Sequence, residues 1–418
     1  MSSYSGISHT GNESRSLSAY LLLLLFSFLL PSLSLADNPV EKFVGSGAVV
    51  PESCSVVVIE IDGKKKLYSH NSEAPLIPAS INKVVTIASL LEKTGIDYRY
   101  ATEIYAGGKI KNGVLEGNLV VVGGGDPSLG ATVEPVGEDI IAECVAALKD
   151  KGVTAIEGDI VVDESVFPGP ATPPSWHPSD LSQSYGTGVH GLNYQRNASG
   201  KASVANPASV FVNTLRNALR REGIAVQQMA DRPSNRKELL LKHLSPPIDE
   251  IMRSCMMRSD NLYAEAFLRT LALLKGKEAT TENGADAEMD YWKKKRLPLD
   301  SVTIVDGSGL SRSNRMTADM MAEVLMYMAD NVDFVSFFPL AGQEGTMRNF
   351  LKGTPLDGYI AFKTGSMNGI QCYAGYLLDE EYAPTHVVVV MINGFPKSRD
   401  AARKELASML LEIFASHE

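Results

Sequence analysis

One almost wholly apolar stretch constrains the fold more than any other part of this 418-residue chain. Residues Ile81 to Leu91 form a helical pattern with apolar side chains on nearly every side. Pro75 and Pro78 precede the stretch and Gly95 closes it, as is typical of helix boundaries. A helix without a polar face belongs in the interior of a domain. We therefore expect the surrounding residues to build a core around this helix.

Strand patterns flank this helix at both ends of the chain. Ser55 to Ile61 predicts a buried strand, and Asp62-Gly63 predicts the hairpin turn that leads into a returning strand through Tyr68. We expect the last helix to pack on the sheet, against the alternative of a membrane-surface anchor. The C-terminal segments are predicted as two strands, Gly369–Leu378 and His386–Ile392, and a helix, Arg399–Phe414.

The middle of the chain has a different sequence pattern. From about residue 98 to residue 241, short β-rich stretches alternate with turns, and an amphipathic helix is predicted at Val210–Arg221. Helical patterns return at Ile248–Met257 and Leu262–Leu274. We therefore predict an α/β (α+β) protein whose main domain comprises residues 37–97 and 242–418. A β-rich inserted domain of residues 98–241 interrupts it.

The first 36 residues have the layout of a secretory signal peptide. Arg15 precedes the apolar run Leu21–Leu30, and small residues, Ser34 and Ala36, follow at the −3 and −1 positions. The run is shorter than the roughly 20 apolar residues that a membrane span needs. We predict export to the periplasm with cleavage after Ala36, against the alternative of a retained anchor. Membrane association is then at most peripheral.

Charge and cysteine usage exclude several classes of protein. A formal net charge of −10 argues against nucleic acid as a partner, since nucleic-acid binders usually present a basic face. The four cysteines are widely separated and no histidine cluster accompanies them, so we predict no metal site and no other cofactor. One or two disulfides and four buried thiols both remain compatible with the spacing. The cysteines are Cys54, Cys144, Cys255 and Cys372.

Ser80 and Lys83 stand at the start of the apolar helix in the pattern Ser-x-x-Lys. Residues three apart share a helix face, so Lys83 Nζ can reach Ser80 Oγ. A serine hydroxyl becomes a good nucleophile when a base takes its proton, and burial lowers the pKa of a lysine so that it can serve as this base. Ser-x-x-Lys alone recurs by chance in chains of this length, so the pattern needs further support.

Two further polar motifs supply this support. Ser259-Asp260-Asn261 separates two predicted helices, and Lys363-Thr364-Gly365-Ser366 directly precedes the strand predicted from Gly369. Alone, the first is typical of a turn or helix N-cap, and the second of a strand entry with a solvated lysine. Together with Ser-x-x-Lys they form the motif set of class A β-lactamases and penicillin-binding proteins. The three motifs predict a serine acyl-transfer site.

Further short sequence stretches extend the similarity to penicillin-binding proteins beyond the three motifs. They are Pro78-Ala79-Ser80, Gly123-Gly124-Gly125-Asp126-Pro127, Leu192-Asn193-Tyr194, Asp306-Gly307-Ser308-Gly309-Leu310-Ser311-Arg312, Ala341-Gly342 and Gly345-Thr346. From about Val56 to its end, the chain resembles the low-molecular-mass class C penicillin-binding proteins, the D-alanyl-D-alanine carboxypeptidases/endopeptidases of the penicillin-binding protein 4 type. The resemblance implies a penicillin-recognising serine transpeptidase/β-lactamase-like core, with an antiparallel sheet flanked by helices. Because Leu192-Asn193-Tyr194 lies so close to the helix from Val210, the family's inner nested insert looks deleted.

The resemblance also implies a substrate and roles for single residues. Ser80 would attack the peptide bond of a D-Ala-D-Ala terminus in peptidoglycan, or a D-Ala-linked cross-bridge, and form an acyl-enzyme that β-lactam antibiotics mimic. Lys83, Ser259, Asn261 and Lys363 would be the other catalytic residues. The hydroxyls of Thr364 and Ser366 would meet the terminal carboxylate, and Gly365 between them is also expected to bind substrate. Arg312 would bind a side-chain carboxylate and Asp163 a side-chain ammonium.

Three other functions are compatible with parts of this pattern. A serine β-lactamase of the same fold would need an efficient deacylating base, and no obvious E-x-x-x-N segment follows Ser259 in the expected register. A non-catalytic wall-binding protein is disfavoured because all the expected catalytic side chains are present. A general esterase would turn over simple acyl esters without a preference for D-centres.

Overall fold

The computed structural model describes residues 38–414, so the predicted signal peptide and its cleavage site lie outside the described residues. The α-helices are α1 (Pro39–Gly45), α2 (Asn82–Thr94), α3 (Ile140–Asp150), α4 (Pro207–Arg221), α5 (Ile248–Arg258), α6 (Asn261–Leu274), α7 (Thr281–Lys294), α8 (Ala318–Met328), α9 (Val332–Ser336) and α10 (Arg399–Phe414). The strands are β1 (Cys54–Glu60), β2 (Lys65–His70), β3 (Ala101–Ala106), β4 (Lys109–Lys111), β5 (Val114–Glu116), β6 (Leu119–Val122), β7 (Ala155–Ile156), β8 (Ile160–Asp163), β9 (Ala198–Ser199), β10 (Ala202–Ser203), β11 (Ala225–Val226), β12 (Glu238–Leu244), β13 (Ile360–Met367), β14 (Ile370–Leu378) and β15 (Pro384–Asn393).

A five-stranded antiparallel sheet joins the two ends of the chain. Its strand order is β13-β14-β15-β1-β2, so the hairpin of β1 and β2 pairs with β15, the last strand of the described residues. Cys54 lies opposite Ile392, for example. This sheet is the antiparallel sheet that the family resemblance implies, and β13 forms one of its edges.

Both faces of the sheet are covered. In β15, Val387 and Val389 face one hydrophobic core, whereas Val388 and Val390 face the other. The first core also contains the inward side of α2, and the second contains α10 through buried residues such as Leu406. This explains why β15 is apolar almost throughout, since alternation with polar residues is expected only where one face meets water.

Helix α10 therefore packs on the sheet, as the sequence predicts. Between residues 38 and 414 no helix is both long and apolar enough to cross a bilayer. The four cysteines are buried and free of disulfides. Of the two arrangements that their spacing allowed, the fold adopts four buried thiols.

The strands of the middle segment form sheets of their own. One four-stranded sheet has the order β12-β3-β6-β8, and a second has the order β11-β7-β5-β4. A third hydrophobic core lies between these strands and helices α3 and α4. Strand β12 continues to Leu244 and pairs with β3, so it crosses the predicted domain boundary after residue 241. The boundary cuts a strand because the apolar run in β12 gives no signal of where its sheet partner lies.

Candidate active site

Ser80 lies at the entrance to the central helix. A 3-10 turn, Ala79–Ile81, leads directly into α2, and Ala79 has a positive φ of 47°. Ser80 is half-buried, and one turn later Lys83 is fully buried. Lys83 Nζ lies 3.1 Å from Ser80 Oγ. The helical spacing thus brings the amine and the hydroxyl together as the sequence predicts.

The amine of Lys83 has three polar partners. Besides Ser80, it contacts Asn261 Oδ1 at 2.6 Å and the backbone carbonyl of Ser308 at 2.6 Å. Burial lowers the pKa of Lys83, although Cys255 and the nearby acids Asp306, Glu265 and Asp260 oppose this shift. A neutral amine keeps two N–H donors for the two carbonyl-type oxygens and directs its lone pair at Ser80. This geometry suits a group that accepts the proton of the serine hydroxyl.

The Ser259-Asp260-Asn261 motif forms the turn between α5 and α6. Ser259 ends α5 in the left-handed conformation, with φ 59° and ψ 43°, and Asp260 caps α6 by accepting from the backbone N–H of Tyr263. The turn and N-cap that these residue types favour are therefore present. A left-handed serine costs about 1–3 kcal/mol, and such strain persists where the surroundings fix the backbone.

Lys363 lies within a strand that the sequence pattern did not reveal. The sequence predicts that the motif precedes the strand from Gly369, but the motif lies within β13 (Ile360–Met367), which pairs with β14. The prediction missed β13 because Gly365 and Ser366 interrupt its alternation. Lys363 Nζ donates to Ser259 Oγ at 2.9 Å and to the Thr364 carbonyl at 2.7 Å. Burial, and then the nearby Lys83, lower the pKa of Lys363 well below its usual range.

Strand β13 is an edge strand and its open side faces the serine. The Ile360 carbonyl and the Phe362 N–H bond to loop residues outside the sheet, so by alternation the Ser366 N–H points to the same open edge. At Gly365 the strand comes very close to the serine turn, since a Cβ there would lie 2.7 Å from the Pro78 carbonyl oxygen and 3.0 Å from the Ser80 nitrogen. Only glycine fits this approach.

A cavity of about 760 Å³ opens above Ser80. The sequence-predicted residues on its wall are Ser80, Ser259, Asn261, Arg312 and Ser366. Thr364 and Gly365 are not among the lining residues. The Thr364 hydroxyl instead donates to, or accepts from, the Thr346 hydroxyl at 2.8 Å. The opposite wall comes from the middle segment, through residues 175–180 and Tyr185.

Arg312 and Asp163, the two residues predicted to bind a substrate side chain, lie in different places. Arg312 is exposed on the cavity wall, where its guanidinium donates to the Asn368 carbonyl at 2.7 Å. Asp163 ends β8 away from the lining residues and pairs with Arg236. The structure therefore does not bring Asp163 together with Ser80. The acidic residue on the cavity wall is Asp180, whose carboxylate accepts from the Tyr185 hydroxyl at 3.0 Å.

Several contacts to the motifs involve residues that sequence reasoning did not single out for a site role. The Asn261 side-chain amide donates to the Tyr185 carbonyl at 2.8 Å, which fixes the orientation of the amide with Oδ1 towards Lys83. The Trp176 indole donates to the buried Asp306 carboxylate at 2.8 Å, beside the Ser308 carbonyl that Lys83 contacts. Backbone carbonyls give no sequence signal. Within the described part of the chain, no cluster of His, Cys, Asp and Glu side chains could hold a metal ion.

An antiparallel sheet between helices, with a serine at the start of a buried helix and two buried lysines beside it, defines the class of penicillin-recognising serine enzymes. The chain belongs to the D-Ala-D-Ala carboxypeptidase 3 (S13) family, whose sequence profile matches residues 38–202 and 195–413. The predictions of the family, of an enzyme and of the fold class are thereby confirmed.

Relatives of known name resemble the chain over most of its length. The D-alanyl-D-alanine carboxypeptidase DacB of Haemophilus influenzae is 26% identical over a match of 423 residues, gaps included, and the match covers 83% of this chain and 87% of the relative. A carboxypeptidase of Mycobacterium tuberculosis is 27% identical over 359 residues, and the match covers 81% of this chain and 76% of the relative. The crystal structure of penicillin binding protein 4 from Haemophilus influenzae matches with a TM-score of 0.78 and 24% identity, and the match covers 89% of this chain and 99% of that one.

Proposed function

We propose that the chain is a serine DD-peptidase that removes the terminal D-alanine from peptidoglycan peptides ending in D-Ala-D-Ala. The observation that carries the proposal is the position of the Lys83 amine, 3.1 Å from Ser80 Oγ and held by Asn261 and the Ser308 carbonyl. Family membership and the carboxypeptidase names of the relatives support the same substrate.

The first step is acylation of Ser80. Its Oγ attacks the carbonyl carbon between the two D-alanines while Lys83 accepts the hydroxyl proton. The resulting oxyanion lies between the backbone N–H groups of Ser80 and Ser366, the kind of preorganised donor pair that stabilises such intermediates. The C–N bond then breaks, and the leaving amine receives the proton through Ser259. The Lys363 contact at 2.9 Å orients this hydroxyl.

The second step returns the enzyme to its starting state. A water molecule attacks the acyl-enzyme carbonyl and gives one proton to Lys83. The bond between Ser80 Oγ and the acyl carbon then breaks, Ser80 Oγ takes this proton back from Lys83, and the shortened peptide leaves with a new carboxylate. Asn261 holds Lys83 and directs the second hydrogen of its amide, which the Tyr185 carbonyl does not use, towards the substrate. β-Lactams imitate the D-Ala-D-Ala end, so they acylate Ser80 and stay bound.

The terminal carboxylate of the substrate meets the mouth of the cavity beside β13. Ser366 is exposed there, and the buried Lys363 amine lies in the same strand, where it donates to Ser259 Oγ. The Thr364 hydroxyl takes part only if it turns away from Thr346. Arg312 is the cationic side chain on the cavity wall, and its guanidinium suits a carboxylate in the substrate's side chain.

Endopeptidase action on D-Ala-linked cross-bridges is part of the proposal, because carboxypeptidase and endopeptidase action both cleave the amide bond on the carboxyl side of a D-alanine. A predatory peptidoglycan endopeptidase from Bdellovibrio bacteriovorus has a related fold, with a TM-score of 0.57 at 19% identity. This match covers 87% of this chain and 92% of the Bdellovibrio chain. Digestion of purified cross-linked wall fragments, followed by mass analysis of the products, separates the two actions.

One pair of assays tests the proposal against its rivals. The protein is incubated with penicillin and its intact mass is followed, and D-alanine release from a D-Ala-D-Ala peptide is measured. We expect a persistent adduct and released D-alanine. Rapid return to the free mass would identify a β-lactamase, and neither adduct nor release would identify a wall-binding protein. Turnover of simple acyl esters without preference for D-centres would identify an esterase.

We also propose that the enzyme works in the periplasm after cleavage at Ala36, which the layout of its first residues supports. Cell fractionation and the N-terminal sequence of the mature protein test the proposed location.

The domain division is likewise a proposal, with the inserted domain running from about residue 98 to residue 244. The separate sheets of this segment support the division, and its end point is the end of β12.

A further inference from the structure

An unusual backbone turn lies in the middle segment, outside the cavity lining. Gln195, Arg196 and Asn197 have consecutive φ values of 51°, 57° and 50°, and none of the three is glycine. Left-handed backbone is unfavourable for such residues, and consecutive left-handed residues are rarer still. A turn of this kind persists only where the surrounding structure determines it, and strain of this sort concentrates at functional sites.

The buried side chain of Asn197 holds this turn. Its Oδ1 accepts from the Tyr194 N–H at 2.9 Å, and its Nδ2 donates to the Gly188 carbonyl at 2.8 Å and to Asn193 Oδ1 at 2.7 Å. The Thr187 hydroxyl donates to the Asn197 carbonyl at 2.8 Å. These four hydrogen bonds all join residues between positions 187 and 197, so the segment itself holds the conformation.

The turn directs the Arg196 guanidinium at Asp260. Arg196 Nε lies 2.9 Å from Asp260 Oδ2, and its Nη2 contacts the same oxygen. The other oxygen, Oδ1, accepts from the Tyr263 N–H at 3.3 Å. The Asp260 side chain is only 4% exposed, so loss of Arg196 would leave a buried carboxylate without its counter-ion.

Asp260 stands between two residues of the proposed catalytic machinery. Its neighbour Ser259 is itself left-handed, and its other neighbour Asn261 contacts Lys83. A shift of Asp260 would move both neighbours, because they share its backbone. Two strained segments, distant in sequence, thus meet in one ion pair directly behind the proposed site.

We propose that Arg196 is a positioning residue for acyl transfer, which fixes Ser259 and Asn261 through its ion pair with Asp260. The inference rests on the proposed function and adds to it a role for the middle segment. Arg196 does not line the cavity, so it acts on the rate of acylation through Asp260 and not through a contact with substrate.

The test is the rate constant for acylation by a fluorescent penicillin, counted per molecule that finally becomes labelled. Arg196→Ala is expected to lower this constant about 10- to 100-fold, as small displacements of catalytic groups do. Arg196→Lys should recover part of the loss, since it keeps the charge but not the two-nitrogen contact. Arg216→Ala is the matched control, because Arg216 pairs with Asp159 in the same segment at 2.7 Å and does not line the cavity.

A merely structural role would lower the yield of folded protein and its melting temperature without changing the rate per labelled molecule. Asp260→Asn keeps a helix cap and provides a second variant should Arg196→Ala fail to fold. If Arg196 acts through Asp260, adding Arg196→Ala to Asp260→Asn should lower the acylation rate constant by less than a further twofold. Equal acylation rates of wild-type protein and Arg196→Ala would overturn the role of Arg196 and leave the proposed function intact. Absence of labelling in the wild-type protein would overturn the proposed function as well.

Discussion

Lys83 Nζ lies 2.6 Å from Asn261 Oδ1, although 178 positions separate the two residues in the chain. Lys363 Nζ, in contrast, donates to Ser259 Oγ at 2.9 Å. Each buried lysine therefore has its own serine, since Lys83 also contacts Ser80. This division supports different tasks for the two amines, with Lys83 as the base and Lys363 as the donor that orients the Ser259 hydroxyl.

Replacing Lys83 by arginine should abolish the base, because the side chain then stays protonated. A guanidinium does not lose its proton in proteins, so we expect acylation by penicillin to fall by about 10²- to 10⁴-fold. In the wild-type enzyme the rate should rise with pH as Lys83 loses its proton, and the lowered pKa places this rise below the usual lysine range. Lys83→Arg should lack the rise. Lys109→Arg, on the exposed strand β4, is the control. If the acylation rate of Lys83→Arg still rose with pH, the assignment of Lys83 as the base would be contradicted.

Gly365→Ala should slow acylation while leaving the protein folded. The added Cβ would lie 2.7 Å from the Pro78 carbonyl oxygen, so β13 or the Ser80 turn has to move. We expect a loss of about 10- to 100-fold in the acylation rate. Gly45→Ala serves as the control, because a Cβ there meets nothing within 4 Å. Equal rates for the two variants would show that the close approach is unimportant.

Arg312→Ala should weaken hydrolysis of a wall peptide far more than it weakens acylation by penicillin, because only the peptide carries the side-chain carboxylate. Asp163→Asn should change neither activity, since Asp163 pairs with Arg236 and does not line the cavity. Both variants are compared by kcat/KM on peptide and by penicillin labelling. Equal losses on both substrates would argue against a side-chain site at Arg312, and a selective loss in Asp163→Asn would restore the sequence prediction.

Glu288→Gln should make the protein more stable at pH 8 and flatten its pH dependence. Burial raises the pKa of Glu288 from 4.5 to about 8. Because the folded protein binds this proton more tightly than the unfolded chain does, the raised pKa stabilises the fold fully below pH 4.5. This stabilisation is lost as the pH rises through about 8, and the free energy of unfolding then falls by an amount on the order of a few kcal/mol. Melting temperatures between pH 4 and pH 9 measure it. Glu282→Gln, an exposed residue of the same helix, should leave the pH dependence unchanged.

The sequence determined the main elements because their patterns are local. The apolar stretch from Ile81 became the buried helix α2, and the C-terminal segment from Arg399 became a helix that packs on the sheet. The spacing of Ser80 and Lys83 also fixed their contact, since one helical turn joins them. The three motifs and the stretches around them were sufficient to identify the family.

Tertiary structure decided everything that depends on how distant segments pack. The edge position of β13 and its approach to Ser80 at Gly365 arise from sheet pairing, which no local pattern specifies. For the same reason Asp163 lies away from the cavity and Asp180 lies on its wall. The Ser308 and Tyr185 carbonyls that hold Lys83 and Asn261 are backbone groups, identical in every residue, so only the folded chain shows which of them bind.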